Sequence, residues 1–521
     1  MDGTADRESD GRSQAPARNS VAEQIALVRA IGANGLTVAA MSARALFGVL
    51  TARLFGGPAL GAFVLAATWI DLLGQIGVLG LDSGAMIRSA QAHGQHDGRA
   101  VRRIFRFALA VSAAASSLLA AGLIVAAMTG QLRQLPGAGG LEALFIVMAL
   151  SLPALAVGRV SAQVARGLQV VHHDLYAQGT VGTAVMVAGL LAGYALGVGP
   201  LSPAVALTLG TITGGVIAWR MTSRLIERER ASGPPGRSTA GDGLARFSLP
   251  IAAFHFVDVL AMRADVLLLG VFVGRSAGVT VAALGVYCAV WEVAATLRKF
   301  RQVFDLALTP AAARSRSQAG EAGARQQSGQ VGRWLLALIG PAVCVMMLGA
   351  GAILSLYGPG FEAGSSWLGV LALAAGTRGI LVALDSRLIV SRPGLNLLNG
   401  VVAVSMQAGA SLVLIPRHGP MGAAAAALMA AVVRAVMTVV QIRMLEHWWW
   451  PVPALRRPAV AMAFALVPGI VVHQAWPGSI GALASAVIFV AGYIGMWKVV
   501  RLDADDRMLI KTIRGRVPQL P

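Results

Sequence analysis

The chain has 521 residues, of which 56% are hydrophobic and 13% charged, where a soluble domain carries about a quarter charged residues. That balance excludes a soluble enzyme. It also excludes a nucleic-acid-binding protein despite a formal net charge of +19, because membrane proteins concentrate basic residues in loops on one face. The two cysteines, Cys288 and Cys344, sit in apolar runs, spaced for neither a zinc site nor a disulfide framework. No metal or cofactor is implied.

Residues 1–24 are polar, lack an apolar signal region, and read as a disordered cytosolic tail. A bilayer-crossing helix needs about 20 apolar residues, and about fourteen such stretches follow. The first six lie near 31–53, 58–80, 104–127, 141–163, 175–197 and 203–222, within an N-terminal six-helix bundle of residues 25–222. Residues 223–246 form a cytosolic linker. The next six lie near 247–272, 280–301, 332–357, 366–390, 393–415 and 420–443, within a second six-helix bundle of residues 247–445. Two more spans, near 455–476 and 478–500, fall in the segment 446–500, and 501–521 is a cytosolic tail. Gly and Pro mark the joints, as in Gly56-Gly57-Pro58, Gly199-Pro200 and Gly358-Pro359-Gly360.

The basic residues orient this map. Arg53, Arg133, Arg275 and Arg417 lie in one set of alternate short loops, and Arg44, Arg263, Arg378 and Arg434 lie within helices. The rest of the 43 Lys and Arg fall in the tails, the other loops and the adjoining helix ends. This asymmetry predicts a multi-pass protein with both termini in the cytosol, its basic face against anionic lipid headgroups. Trp448, Trp449 and Trp450 beside that face suit an aromatic belt. The outer loops are too short to carry a catalytic site, so the chain is not an enzyme. The larger cytosolic stretches near 223–246 and 302–331 read as flexible linkers. The work therefore falls inside the helix bundle.

An internal repeat is visible. Span two opens Leu60-Gly61-Ala62-Phe63, followed by Trp69 and Asp71. Span eight opens Leu284-Gly285-Val286-Tyr287, followed by Trp291 and Glu292. The copies lie six helices apart and run in the same direction, a parallel repeat of the kind that places a site between two similar bundles.

The stretch Thr51-Ala52-Arg53-Leu54-Phe55-Gly56, then Leu60-Gly61-Ala62-Phe63, Gly80-Leu81-Asp82 and Arg88, resembles the opening of the polysaccharide-export flippases. These belong to the multidrug/oligosaccharidyl-lipid/polysaccharide exporter superfamily. Leu249-Pro250, Arg263-Ala264-Asp265 and Leu267-Leu268-Leu269-Gly270 resemble that family's second-half opening. Arg166-Gly167-Leu168, Thr309-Pro310 and Leu414-Ile415-Pro416 with Gly419 also fit. The resemblance covers about residues 25–445. It implies two six-helix bundles forming a V around a cavity that opens alternately to each side of the bacterial inner membrane; the two C-terminal helices lie outside the repeat. It implies a flippase for an undecaprenyl-pyrophosphate-linked oligosaccharide, an O-antigen or exopolysaccharide repeat unit. Polysaccharide polymerase and assembly machinery are its implied partners besides membrane lipids. A multidrug exporter of the same superfamily is the alternative.

Ionisable residues inside a membrane are costly and mark function by default. Arg44, Arg263 and Arg378 are expected to bind the substrate in a cationic cavity, since guanidinium groups match phosphate oxygens. An interhelical ion pair is the competing reading. His255, Asp258 and Asp265 fall within an arc of about 80° on span seven. Asp258 is the candidate for coupling to H⁺ or Na⁺, and Asp265 for pairing with an arginine of a neighbouring helix. Asp71 and Glu292, with Gln75 one turn from Asp71, are candidate cavity groups. Asp385 reads as a charge snorkelling to water. Arg298, Lys299 and Arg301 read as ordinary positive-inside residues, and Pro250 and Pro341 as kink positions.

Overall fold

The structure, a computed structural model, describes residues 15–134, 140–170, 173, 175–230, 243–276, 278–381, 384–385, 388, 392–446 and 452–499. Side chains within 15–44 and 298–328 lie outside that description. So do the Trp448–Trp450 belt, the side chains of Arg298, Lys299 and Arg301, and that of Arg44. No strand occurs among the described residues.

The chain is all-α. The first bundle comprises α1 (Ala15–Val78), α2 (Leu81–Gly94), α3 (Gly98–Met128), α4 (Glu142–Ala149) and α5 (Ser151–Gly167). A π-helical turn (Leu175–Gly182), α6 (Thr183–Ala195) and α7 (Ser202–Arg230) complete it. The second comprises α8 (Leu244–Phe272), α9 (Val281–Leu348), α10 (Ala350–Ser355), α11 (Ser365–Ile380), α12 (Pro393–His418) and α13 (Pro420–Glu446). A hairpin of α14 (Val452–Ala475) and α15 (Ser479–Val499) packs on α9 and α10.

Eight described helical segments are long and apolar enough to cross a membrane. The pair α4–α5, bent by 42°, makes a ninth. Leucines and isoleucines face outward all round the bundle, Leu118 at 74% exposure and Ile480 at 83%. Such an apolar exterior is stable against lipid and not against water.

Spans one and two are not separated by a loop. The helical path of α1 turns at Gly56, whose φ of 81° and ψ of 174° break the helix, a conformation glycine alone enters at low cost. The helix also begins at Ala15, ahead of the boundary expected at residue 25. The stretch 302–331, expected to be a flexible linker, is helical within α9. Its Ala, Arg, Gln and Glu are strong helix formers and outweigh its few glycines. Helix α8 runs through Pro250, and α9 through Pro341. Cys288 is buried, Cys344 is half-buried, and both thiols are free.

The two bundles meet along a line that the repeat predicts only in part. The second limb of α1 runs antiparallel to α8: a Cβ on Gly84 would meet Ser248, Asp71 meets Arg263, and a Cβ on Gly270 would stand 2.7 Å from Leu65. We call the Gly80–Gly84 end lower and the Gly56–Gly61 end upper. At the upper end the two repeat copies touch each other. A Cβ on Gly61 would stand 2.7 Å from the Val281 carbonyl and 2.8 Å from the Gly285 nitrogen, and one on Gly285 would strike the Gly57 carbonyl. Arg53 Nε donates to the Leu356 carbonyl at 2.6 Å. At the lower end a Cβ on Gly80 would stand 2.5 Å from the Ser248 carbonyl. The Arg88 guanidinium lies 4.7 Å from the centre of the Phe247 ring. Backbone-to-backbone contact of this kind is how helices associate in lipid, where no hydrophobic effect drives them together.

Candidate functional site

Midway between these two ends the helices present charge. Asp71 lies ten residues beyond Gly61, about 15 Å along the helix, half of the roughly 30 Å hydrocarbon thickness. From the other half, Arg263 of α8 reaches it: Arg263 Nη2 donates to Asp71 Oδ2 at 2.8 Å. The guanidinium also stacks on Trp291 of α9, 4.3 Å from the ring centre. The pair thus ties the N-terminal bundle to the C-terminal one. It keeps some access to the space between them, with side chains 21% and 32% exposed. The remaining Arg263 N–H groups have no hydrogen-bond partner among the described residues.

Asp265, two residues on, projects elsewhere on the helix and is buried. It accepts from Tyr287 Oη and from the Val266 backbone N–H, both at 2.9 Å. Asp265 is held at least by a phenol and a main-chain donor, where the sequence leads to the expectation of an arginine from a neighbouring helix. Asp265, Trp291, Arg378 and Gln407 together line a cavity of about 20 Å³, room for roughly one water. Arg378 Nη2 donates to Gln407 Oε1 at 3.3 Å. Glu292, the repeat counterpart of Asp71, lays a carboxylate oxygen against Gly48 of α1, where a Cβ would collide with it. Gly48 stands one turn from Arg44. That residue's backbone lies in α1, and its side chain is outside the described residues.

The other two span-seven residues sit nearer the lower end. His255 Nε2 is 3.1 Å from Ser83 Oγ of α2, a second contact across the halves. Asp258 is exposed. The arc predicted from helical periodicity therefore divides: Asp265 is tied inside its own half, His255 spans the two, and Asp258 faces open space.

Two arginines escaped the sequence reading as site groups. Arg159 of α5 donates to the buried Gln75 at 2.8 Å, one turn from Asp71. It lies only four residues from the end of its predicted span and so reads as part of a basic helix end; Gln75 at mid-span was the available signal. Arg434 was identified as intramembrane without a partner. Its Nη2 lies 3.4 Å from Asp385 Oδ2 and 3.3 Å from Asn396 Oδ1, and Thr438 Oγ1 donates to Asp385 at 3.3 Å. Asp385 is 3% exposed, so the expectation that it snorkels to water is wrong. A cation one helix away removes the need for water. Asn399 and Gln441 extend this network by a reciprocal amide pair at 2.8 and 2.7 Å.

Chemically, the centre between the halves holds Arg263, Arg378 and Arg159 against Asp71, Asp265 and Glu292. It is a mixed-charge site with one aromatic wall. It offers guanidinium forks for an anion and carboxylates for a cation. The cross-half pair must part if the bundles separate.

No protein-family model matches the sequence, and no curated protein is similar to it in sequence. Solved structures are similar in fold. A lipid II flippase MurJ in an inward closed conformation matches with a TM-score of 0.64, at 12% identity, over 89% of this chain and 98% of that one. An inward-facing multidrug resistance MATE family transporter of the MOP superfamily matches at 0.53 and 16% identity, over 81% and 94%. A eukaryotic MATE transporter matches at 0.56 and 14% identity, over 84% and 99%. At these identities the likeness is one of architecture, and the fold of this chain is the fold those transporters share.

Proposed function

We propose that the chain is a transporter that moves a lipid-linked oligosaccharide across the bacterial inner membrane, with both termini in the cytosol. The substrate class is an undecaprenyl-pyrophosphate-linked repeat unit. The observation that carries this reading is the Asp71–Arg263 pair, which crosses the two halves at mid-bundle against Trp291. When the halves part, Arg263 loses its carboxylate. A pyrophosphate oxygen is the natural replacement, because the guanidinium fork binds phosphate in two-point geometry. Arg378 and Arg159 supply further donors around the same space, and Arg44 of α1 is the third arginine assigned to the substrate in this reading. Asp71 and Glu292 are then freed to accept from sugar hydroxyls. When the halves rejoin, Asp71 recovers Arg263 and the anion is released. No bond is made or broken, and the prenyl tail stays in lipid. The architectural likeness to a lipid II flippase supports a lipid-linked substrate.

The test is reconstitution into liposomes with a fluorescent undecaprenyl-pyrophosphate oligosaccharide, reading leaflet exposure with an impermeant quencher. Exchange faster than in protein-free vesicles, lost in Arg44→Ala with Arg263→Ala, supports the proposal. Unchanged exchange in that variant, with the protein present in the vesicles, removes the anion site. A second reading, export of organic cations, is favoured by the carboxylates Asp71, Asp265 and Glu292 at the centre and by the likeness to multidrug transporters. Proton- or sodium-driven efflux of a cationic dye, lost in Asp71→Asn or Asp258→Asn, would select it.

A further inference from the structure

At the upper end, away from the central site, a second cavity of about 580 Å³ opens between α9–α11 and the C-terminal hairpin. Two glycines show that this space is kept open. A Cβ on Gly351 would find nothing nearer than Ala482 at 3.8 Å, and one on Gly369 nothing nearer than Met347 at 3.8 Å. Further down the same helix the glycines do the opposite. A Cβ on Gly379 would stand 2.8 Å from Ile339, and one on Gly376 would collide with Val343. Helix α11 is thus packed against α9 at its lower end and held clear at its upper end.

The lining divides by chemistry. Met347, Val370 and Leu373 give an apolar wall. At the mouth stand Glu362, Ser365, Ser366 and His473. Ser479 Oγ of the hairpin donates to Glu362 Oε1 at 3.1 Å and so fixes the carboxylate at the rim. Ser365 Oγ donates to the Glu362 carbonyl at 2.5 Å, so its hydroxyl oxygen can act as an acceptor. Neither Lys nor Arg is among the described residues that line the cavity. Among these residues a fully anionic headgroup would meet the Glu362 carboxylate with no countercharge. A zwitterionic headgroup meets complementary partners: Glu362 and Ser365 accept from an ammonium, Ser366 and the imidazole N–H of His473 donate to a phosphate, and the wall takes an acyl chain.

We propose that this cavity is a binding site for an amine-bearing phospholipid, of the phosphatidylethanolamine class, which bridges the hairpin to the second bundle. The site is independent of what the transporter carries. Its test is native mass spectrometry of the full-length protein in detergent with an equimolar mixture of phosphatidylethanolamine, phosphatidylcholine and phosphatidylglycerol. Retention of phosphatidylethanolamine above both others is expected, since the quaternary amine of phosphatidylcholine has no N–H to give. Glu362→Gln is expected to weaken that retention about tenfold, the effect of losing a hydrogen bond between charged groups. Gly369→Leu is expected to abolish it by obstructing the apolar wall beside Met347, and Gly369→Ala, whose Cβ fits, to leave it unchanged. Equal retention of the three lipids, or selectivity that survives both Glu362→Gln and Gly369→Leu, overturns the proposal.

Discussion

If the Asp71–Arg263 pair latches the two halves, breaking it shifts the balance between joined and parted bundles by a calculable amount. With the donor and acceptor atoms 2.8 Å apart, the charge centres lie roughly 4 Å apart, where an effective dielectric near 20 gives about 4 kcal/mol of attraction. Desolvation opposes part of this, and side chains 21% and 32% exposed keep some solvent screening. A net of about 1–2 kcal/mol remains, a factor of roughly 5–30 in the ratio of joined to parted molecules. Spin labels at Gln95 and Ala245, exposed at the lower end of opposite halves, with Cys288 and Cys344 replaced by Ala, would report that ratio as a distance distribution. Asp71→Asn is expected to lengthen the distribution, and Arg263→Gln to do so with the added loss of the Trp291 contact. The double variant is expected to add little beyond Arg263→Gln. An unchanged distribution in Asp71→Asn, or a coupling in the double-mutant cycle below about 0.3 kcal/mol, would refute the latch.

Four further outcomes follow from the packing. Gly285→Ala drives a methyl group into the Gly57 carbonyl and is expected to destabilise the joined upper end by about 1–3 kcal/mol. Gly409→Ala, with nothing within 4 Å of its Cβ, is expected to stabilise α12 by up to about 1 kcal/mol; equal melting temperatures for the two variants would sink the distinction. Tyr287→Phe removes a donor from the buried Asp265 at a cost of about 1–3 kcal/mol, read as a fall of a few degrees in the melting temperature in detergent. Asp385→Ala strips Arg434 of its recorded carboxylate and is expected to cost about 3 kcal/mol, with Asp385→Leu plus Arg434→Met recovering most of it. Recovery is measured as folded protein in the membrane, and a double variant no better than the single would contradict it.

The site was legible in the sequence as a set of residues and not as a set of contacts. Arg263, Asp71, Glu292 and Arg378 stood out because charge inside a hydrocarbon layer is costly wherever it sits. Which charge met which was not legible, because partners lie far apart in the chain: 192 residues separate Asp71 from Arg263, and 84 separate Gln75 from Arg159. The expected snorkelling of Asp385 failed for the same reason, since Arg434 reaches it from another helix.

By itself, the sequence determined that this is an all-helical, many-spanning membrane protein with a doubled architecture. Composition sets the solvent a surface can face, and a repeat of Gly-x-aromatic openings six helices apart marks duplicated bundles. Only the tertiary structure decided that the two openings pack against each other through Gly57, Gly61 and Gly285, that Gly56 joins two spans without a loop, and that Gly351 and Gly369 hold space while Gly376 and Gly379 close it. A glycine reads the same in every one of these places. What it permits depends on the atom that stands opposite it, and that atom is set by how distant helices are brought together.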